Sequence, residues 1–138
     1  MNDPMSGYPG YLLRRASALT MARLAKRLKA LHLNPTDATV LMVVAANPNA
    51  KQSEIGRLLD IARANMAPLI SRLAARKLLD RQPMDGRSHG LTLTRSGQAL
   101  IPRIEGVIAE HEAELIGKVA VGLRSPLVAG LRALLEQK

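Results

Sequence analysis

Apolar residues return at three- and four-residue steps through most of this chain, the spacing of a buried helix face. From Gly10 to Leu33 the set is Leu12, Leu13, Ala16, Leu19, Leu24, Leu28 and Leu31, with Arg14, Arg15, Arg23, Lys26, Arg27 and Lys29 between them. More than one stripe is apolar, so this helix is expected to be covered on two sides. Residues 1–9, rich in Pro, Gly and polar residues, read as a flexible N-terminal arm. Asn34-Pro35-Thr36-Asp37 predicts a helix start: a capping Asn, a Pro suited to the first position and an acid at the positive helix end. That helix runs to about Ala46, where Asn47-Pro48-Asn49 ends it. The next spans Gln52 to Leu59, with Ile55, Leu58 and Leu59 as its buried face. Glu54 stands where a capping-box acid belongs, but Lys51 holds the cap position, so the box is incomplete.

Asp60-Ile61 makes a tight turn into a helix from Arg63 to Lys77, whose core face is Met66, Leu69, Ile70 and Leu73. Pro68 removes one backbone bond there and costs up to about 3 kcal/mol inside a helix. It lies near the helix start, so a continuous, locally distorted helix is expected. Leu78–Gln82 and Leu91–Thr94 predict two short strands, joined by the polar loop Met84–Gly90. A long helix from Arg95 to Val119 carries Leu100, Ile104, Val107, Ile108, His111, Leu115 and Val119 on one side, with Pro102 in its second turn. Gly122 interrupts the pattern, and Ser125-Pro126 starts a last helix bearing Leu127, Leu131, Leu134 and Leu135.

Composition sharpens this picture. Apolar residues make up 47% of the 138, yet there are only two tyrosines, no Phe and no Trp. The core must be aliphatic, which favours helix packing, and the expected fold class is mainly α. With no cysteine, disulfides, Cys-ligated zinc and thiol redox sensing are excluded. No long apolar run and no signal-peptide pattern occur, so a soluble, cytoplasmic protein without a membrane partner is expected. Net charge is +9. Residues 1–104 hold 16 Lys/Arg against 6 Asp/Glu, and residues 105–138 hold 4 against 5. The positive charge avoids the C-terminal part, as expected if that part meets protein and the rest meets a polyanion.

Two short helices, a tight turn between them and a basic hairpin form a winged helix-turn-helix, whose physical use is to place a helix in the DNA major groove. Arg63, Asn65, Ser71 and Arg72 have the types and spacing of base-edge readers. A merely solvated face is the competing reading. Gln52 and Ser53, at a helix N-terminus, suit phosphate as well as capping. At the hairpin tip Arg87 suits a narrow minor groove, with Asp85 to hold an arginine or shape the turn, and Ser88 beside them. His89 reads as a solvated loop residue, and His111, on the apolar stripe, as a core or interface histidine. No catalytic constellation, metal set, P-loop or dinucleotide fingerprint is present, so neither an enzyme nor a cofactor is expected.

The segments QSEIGRLL, NMAPLISRLAARKLLDR and DGRSHGLTLTRSG resemble the MarR family of bacterial transcriptional regulators. Asp85, Arg87, Leu91, Leu93, Thr94 and Gly97 fall on that family's wing signature, and the likeness runs over about residues 10–136. Departures are Gly86 before Arg87 where many members pair two arginines, and Asp60 and Lys77 where glycine is usual. The resemblance implies one domain over 10–138, with 34–97 as the winged helix-turn-helix DNA-binding part and 10–33 and 98–138 as dimerisation helices. It implies a homodimer on a pseudo-palindromic double-stranded operator, released by a small, aromatic or phenolic effector. That ligand site would draw on Tyr11, Arg14, Arg15, Ser17, His32 and Met42, with Arg15 as carboxylate partner. An architectural DNA binder without effector is the alternative. A protein-interaction module of a larger methyltransferase is a third reading, one that expects a catalytic domain this chain does not hold.

Overall fold

A computed structural model describes residues 1–86 and 88–136. Helix α1 spans Pro9–Leu28 and tightens into one 3₁₀ turn, Lys29–Leu31. The expected single helix to Leu33 therefore ends five residues early. Pro35 excludes the helical conformation from Asn34, and His32 turns the chain in a left-handed conformation, φ 55°. Leu31 and Leu33 are still buried, so their apolar character reports burial, not helix.

Helix α2, Pro35–Ala46, opens on a full capping box. Asp37 N–H donates to Asn34 Oδ1 at 2.8 Å, and Asn34 N–H donates to Asp37 Oδ2 at 3.4 Å. Two residues, Ala50–Lys51, form the short strand β1, which the alternation pattern was too brief to announce. In α3, Gln52–Leu59, Lys51 N–H donates to the Glu54 carboxylate at 2.8 Å, half of the box expected. Leu58 is a correction: it is exposed, because Ile55 and the bare backbone of Gly56 take the inner side. Gly56 lies so close to Met66 that an added Cβ would stand 3.1 Å from its Cγ.

Helix α4 runs unbroken over Arg63–Ala75 through Pro68. Strands β2, Leu79–Pro83, and β3, His89–Leu93, pair antiparallel with Arg81 opposite Leu91, and β1 adds to the other edge of β3. Helix α5, Arg95–Gly117, packs on α1, α2 and β3. Helix α6 is Val121–Leu135, not a segment restarted by Ser125-Pro126. The turn over Lys118 and Val119 is complete before Gly122, Arg124 Nε caps it by donating to Val119 O, and Pro126 sits inside the helix.

One aliphatic core joins these pieces: Leu28, Val40, Leu41, Val44, Ile55, Met66, Ile70, Leu73, Leu79, Leu91 and Ile104 are essentially inaccessible. It is confined to the first five helices and the sheet. No residue of α6 is buried. Leu115, expected on the inner side of α5, is also exposed, because only the first part of that helix lies over the core.

Where α4, the wing and α5 meet, the packing is backbone on backbone. Thr94 caps α5 by accepting from Gly97 N–H at 3.0 Å, and its hydroxyl donates to Lys77 O at 2.6 Å. A Cβ on Gly97 would lie 2.2 Å from Leu78 O. Gly97→Ala is therefore expected to cost about 1–3 kcal/mol of unfolding free energy, read from denaturant midpoints; an unchanged midpoint would show that this junction yields freely.

Candidate nucleic-acid interface

Helices α3 and α4 are joined by Asp60, held at φ 55°, and Ile61, whose N–H donates to Gly56 O at 2.9 Å. The left-handed residue is what lets α4 leave at once, with no loop to soften its angle. Beyond it the N-termini of α3 and α4 and the wing surround a concavity of about 930 Å³. Gln52, Ser53, Arg57, Arg63, Arg81 and Ser88 line it. A second, of about 540 Å³, lies between the start of α2 and the other side of α4, lined by Asn34, Thr36, Asn65, Pro68 and Arg72 among others.

The residues expected to share one reading face thus lie on two flanks of α4. Arg63 and Arg72 are nine positions apart, about two and a half turns, and leave the helix on opposite sides. Asn65 and Arg72, about two turns apart, leave on the same side. Ser71 is exposed between the flanks, and its hydroxyl accepts from Arg81 at 3.4 Å. Asp85 is exposed at the hairpin tip and lines neither concavity, while Arg87 lies outside the described residues.

Arg72 carries a second duty: its Nη2 donates to Asp37 Oδ1, and the Asp37 side chain is only 6% exposed against 49% for Arg72. Arg76, beside it, donates to the carbonyls of His32 and Leu31, so the end of α4 is pinned to the link between α1 and α2.

Arg57 and Arg81 belong to the first concavity and were not singled out from the sequence. Arg57 follows Ser53 by four positions, one helical turn, and that spacing was available. Arg81 reaches the site through the register of β2 on β3, which the expected hairpin did not fix. Lys51 and His89 line the same concavity, and His89 is exposed, as expected, but as the first residue of β3.

The six effector candidates do not converge. Tyr11, Arg14 and Arg15 gather near the start of α1, where each guanidinium carbon is 5.7 Å from the centre of the Tyr11 ring. Ser17 is exposed on α1, His32 is exposed at the link, and Met42 packs half-buried on the core. None lines either concavity. The N-terminal arm reaches this cluster. Asp3 accepts from Tyr11 Oη at 2.7 Å and from Arg15 Nη1 at 3.1 Å, and from Met5 N–H at 3.0 Å. The Tyr11 hydroxyl first, then Met5 N–H and the Arg15 charge, hold the Asp3 carboxyl below its ordinary range. Arg15 is raised in turn, by Tyr11 and then Asp3.

His111 is buried and bonds Thr20 Oγ1 at 3.0 Å, tying α5 to α1; Arg27 adds ion pairs to Glu110 and Glu114. Among the described residues no group of three or more His, Asp or Glu is placed to hold a metal ion, and no helix is long and apolar enough to cross a membrane.

Comparison with known proteins agrees with this geometry. Residues 33–88 match the MarR family model. The solved structure of the transcriptional repressor CouR bound to a 23-mer DNA duplex is 30% identical, over 98% of this chain and 99% of that one, with a TM-score of 0.89. CouR bound to p-coumaroyl-CoA is 27% identical, over 100% and 99%, with a TM-score of 0.91. A transcriptional regulatory protein assigned to the hcr operon of Thauera aromatica is 25% identical over 99% of this chain and 84% of its own length.

The arm contact has a definite pH signature. A carboxyl whose value is lowered by folding holds its partners above the ordinary 3.8 and releases them as pH falls through the lower, folded value. The Tyr11 ring resonances are expected to shift with a midpoint below 3.8 and to lose that titration in Asp3→Ala. A midpoint at or above 3.8, or one that survives the substitution, would show that Asp3 does not hold the arm.

Proposed function

The chain belongs to the MarR family of transcriptional regulators, and from that premise we propose that it is a homodimeric, sequence-specific repressor acting in the cytoplasm, not an enzyme. The observation that carries the reading is the convergence of Arg57, Arg63 and Arg81 with the N-terminus of α3 around one open concavity. Arg57 and Arg81, with the N–H groups of the α3 N-terminus, suit the phosphate backbone, while α4 carries Arg63 into the major groove. In this reading Gln52, Ser53, Arg57 and Arg81 hold phosphates, and Arg63, Asn65, Ser71 and Arg72 face base edges. Arg87, with Asp85 and Ser88, belongs to the wing in the minor groove.

The uncovered apolar side chains support the dimer. Val121, Leu123, Leu134 and Leu135 on α6 are each more than 60% exposed in the single chain, and Leu12, Leu13, Leu19 and Met21 on α1 are open as well. Such a surface is costly to leave in water and self-complementary across a two-fold axis. Two copies then present two α4 helices to the half-sites of a pseudo-palindromic operator.

The effector is proposed to be a small aromatic acid or its thioester, by likeness to CouR bound to p-coumaroyl-CoA. Tyr11, Arg14, Arg15, Ser17, His32 and Met42 are its proposed contacts, completed by the second subunit. A ligand of this kind regulates only if it prefers one spacing of the two α4 helices over another.

Fluorescence anisotropy against the DNA upstream of its own operon and against shuffled duplexes tests the reading. Preferential binding to the upstream DNA is expected, falling steeply with salt. Arg63→Ala is expected to cost about 1–3 kcal/mol of specific binding, and Arg57→Ala to reduce the salt slope by about 1 with little loss of specificity. Equal affinity for all duplexes would instead favour an architectural DNA binder.

A further inference from the structure

Two polar side chains are buried among the described residues. His111 is satisfied by Thr20. Asp37 is the other, and it serves twice: it closes the capping box of α2 and it receives Arg72 from α4. A capping box needs no buried carboxylate and no arginine, since its acid works equally well facing water. Burying the charge is costly unless it is paired. The tie to Arg72 therefore calls for a reason of its own.

Holding α4 in place is not a sufficient reason. Its inner side is already fixed by Met66, Leu69, Ile70 and Leu73, and its end by Arg76 on the carbonyls of residues 31 and 32. What Asp37 fixes is the direction of a single side chain. Arg72 gives Nη2 to Asp37 and remains half exposed in the second concavity, where its Nε and Nη1 take no hydrogen bond among the described residues. A free arginine on a helix sweeps a wide arc and pairs with any phosphate in range. One held through one Nη2 N–H by a buried carboxylate keeps its second Nη2 N–H, which with the neighbouring Nη1 or Nε N–H forms a planar, oriented fork. That geometry matches the O6 and N7 acceptors of guanine, and Asn65 on the same flank has the bidentate geometry for adenine.

We propose that Asp37, which lies on α2 outside the helix-turn-helix pair, is a specificity-determining positioning residue: it holds Arg72 to read a guanine in the operator. This rests on the DNA-reading role proposed above and names a determinant within it.

The test uses the full-length protein and a duplex that it enriches from a random-sequence pool. For D37N, discrimination between that duplex and a shuffled one is expected to fall about tenfold, while affinity for the shuffled duplex stays level or rises. The freed Arg72 then binds phosphate, and the salt slope steepens by about 1. R72K, which keeps the charge and loses the fork, is expected to lose the same discrimination. Replacing one guanine per half-site is expected to abolish the difference between wild type and R72K. In an R72A background, D37N is expected to change discrimination no further.

Full discrimination in D37N, or a proportional loss of specific and non-specific affinity, would overturn the proposal; the second result marks a structural role only. Should D37N fail to fold, R72K decides, because its side chain is half exposed, and unchanged discrimination there is equally fatal. If the wild-type protein enriches no sequence at all, the repressor reading falls first and this inference falls with it.

Discussion

The carbonyl of Leu78 rests against the bare backbone of Gly97, and the mutual placement of α4, the wing and α5 depends on that contact. Three elements end or begin there: α4 leaves through Lys77, the wing returns through Thr94, and α5 starts. Thr94 N–H donates to Leu78 O at 3.1 Å while its side chain bridges Lys77 O and Gly97 N–H. Lys77 is held at φ 59°, a conformation that a residue with a Cβ adopts at a cost of about 1–2 kcal/mol. The surrounding packing sustains that strain, and in exchange the chain needs no loop between reading helix and wing. The direction of α5 is then slaved to that of α4. His111 and the Arg27 ion pairs carry the constraint on to α1. The direction of α4 is therefore tied through α5 to α1.

The two flanks of α4 differ in what restrains them. On the wing side Arg63 is exposed, beside Arg57 and Arg81, around an open concavity. On the α2 side Arg72 is tied to a buried carboxylate. Freely moving cations contribute salt-dependent attraction, whereas oriented donors contribute discrimination. On the proposed reading α4 thus carries an unrestrained arginine on one flank and an oriented one on the other, separated by about half its circumference.

The sequence made the helix order and the wing readable because both depend on local spacing and on turn chemistry. Met66, Leu69, Ile70 and Leu73 announced the inner face of α4, and all four are buried. Asn34, Pro35 and Asp37 announced the start of α2 as a cap, a first-position proline and an acid at the positive helix end, and the box that joins Asn34 to Asp37 is equally local. Asp60 and Lys77 stand where the family usually has glycine, and both adopt the left-handed conformation that glycine would supply, so the backbone shape is kept although the residue is not. What stayed hidden was non-local. The two residues of β1 have no pattern of their own and exist only because β3 pairs with them. Leu58 and Leu115 fit a stripe by period, but the surface facing them is not the core. The second duty of Arg72 depends on a residue 35 positions away, and no helical wheel displays such a partner.

The apolar surface of this chain is divided between a finished core and an unfinished one. The first five helices and the sheet close on one core, with Leu28, Ile55, Met66, Leu91 and Ile104 shut away from water. The terminal helices do not close, and α6 has an apolar side with nothing of its own chain against it. A stable fold rarely leaves such an area in water, since each buried leucine contributes about 1.5–3 kcal/mol. On the proposed reading the second core is completed by another copy, and the effector candidates on α1 share that dependence. Tyr11, Arg14 and Arg15 cluster beside the open side of α1 with Asp3 already on the hydroxyl and the guanidinium. On that same reading, a ligand carboxylate at Arg15 competes with Asp3, which has the same charge and the same donors. Its affinity is then set by the difference between two carboxylates and not by the strength of either, which makes the arm part of the proposed site.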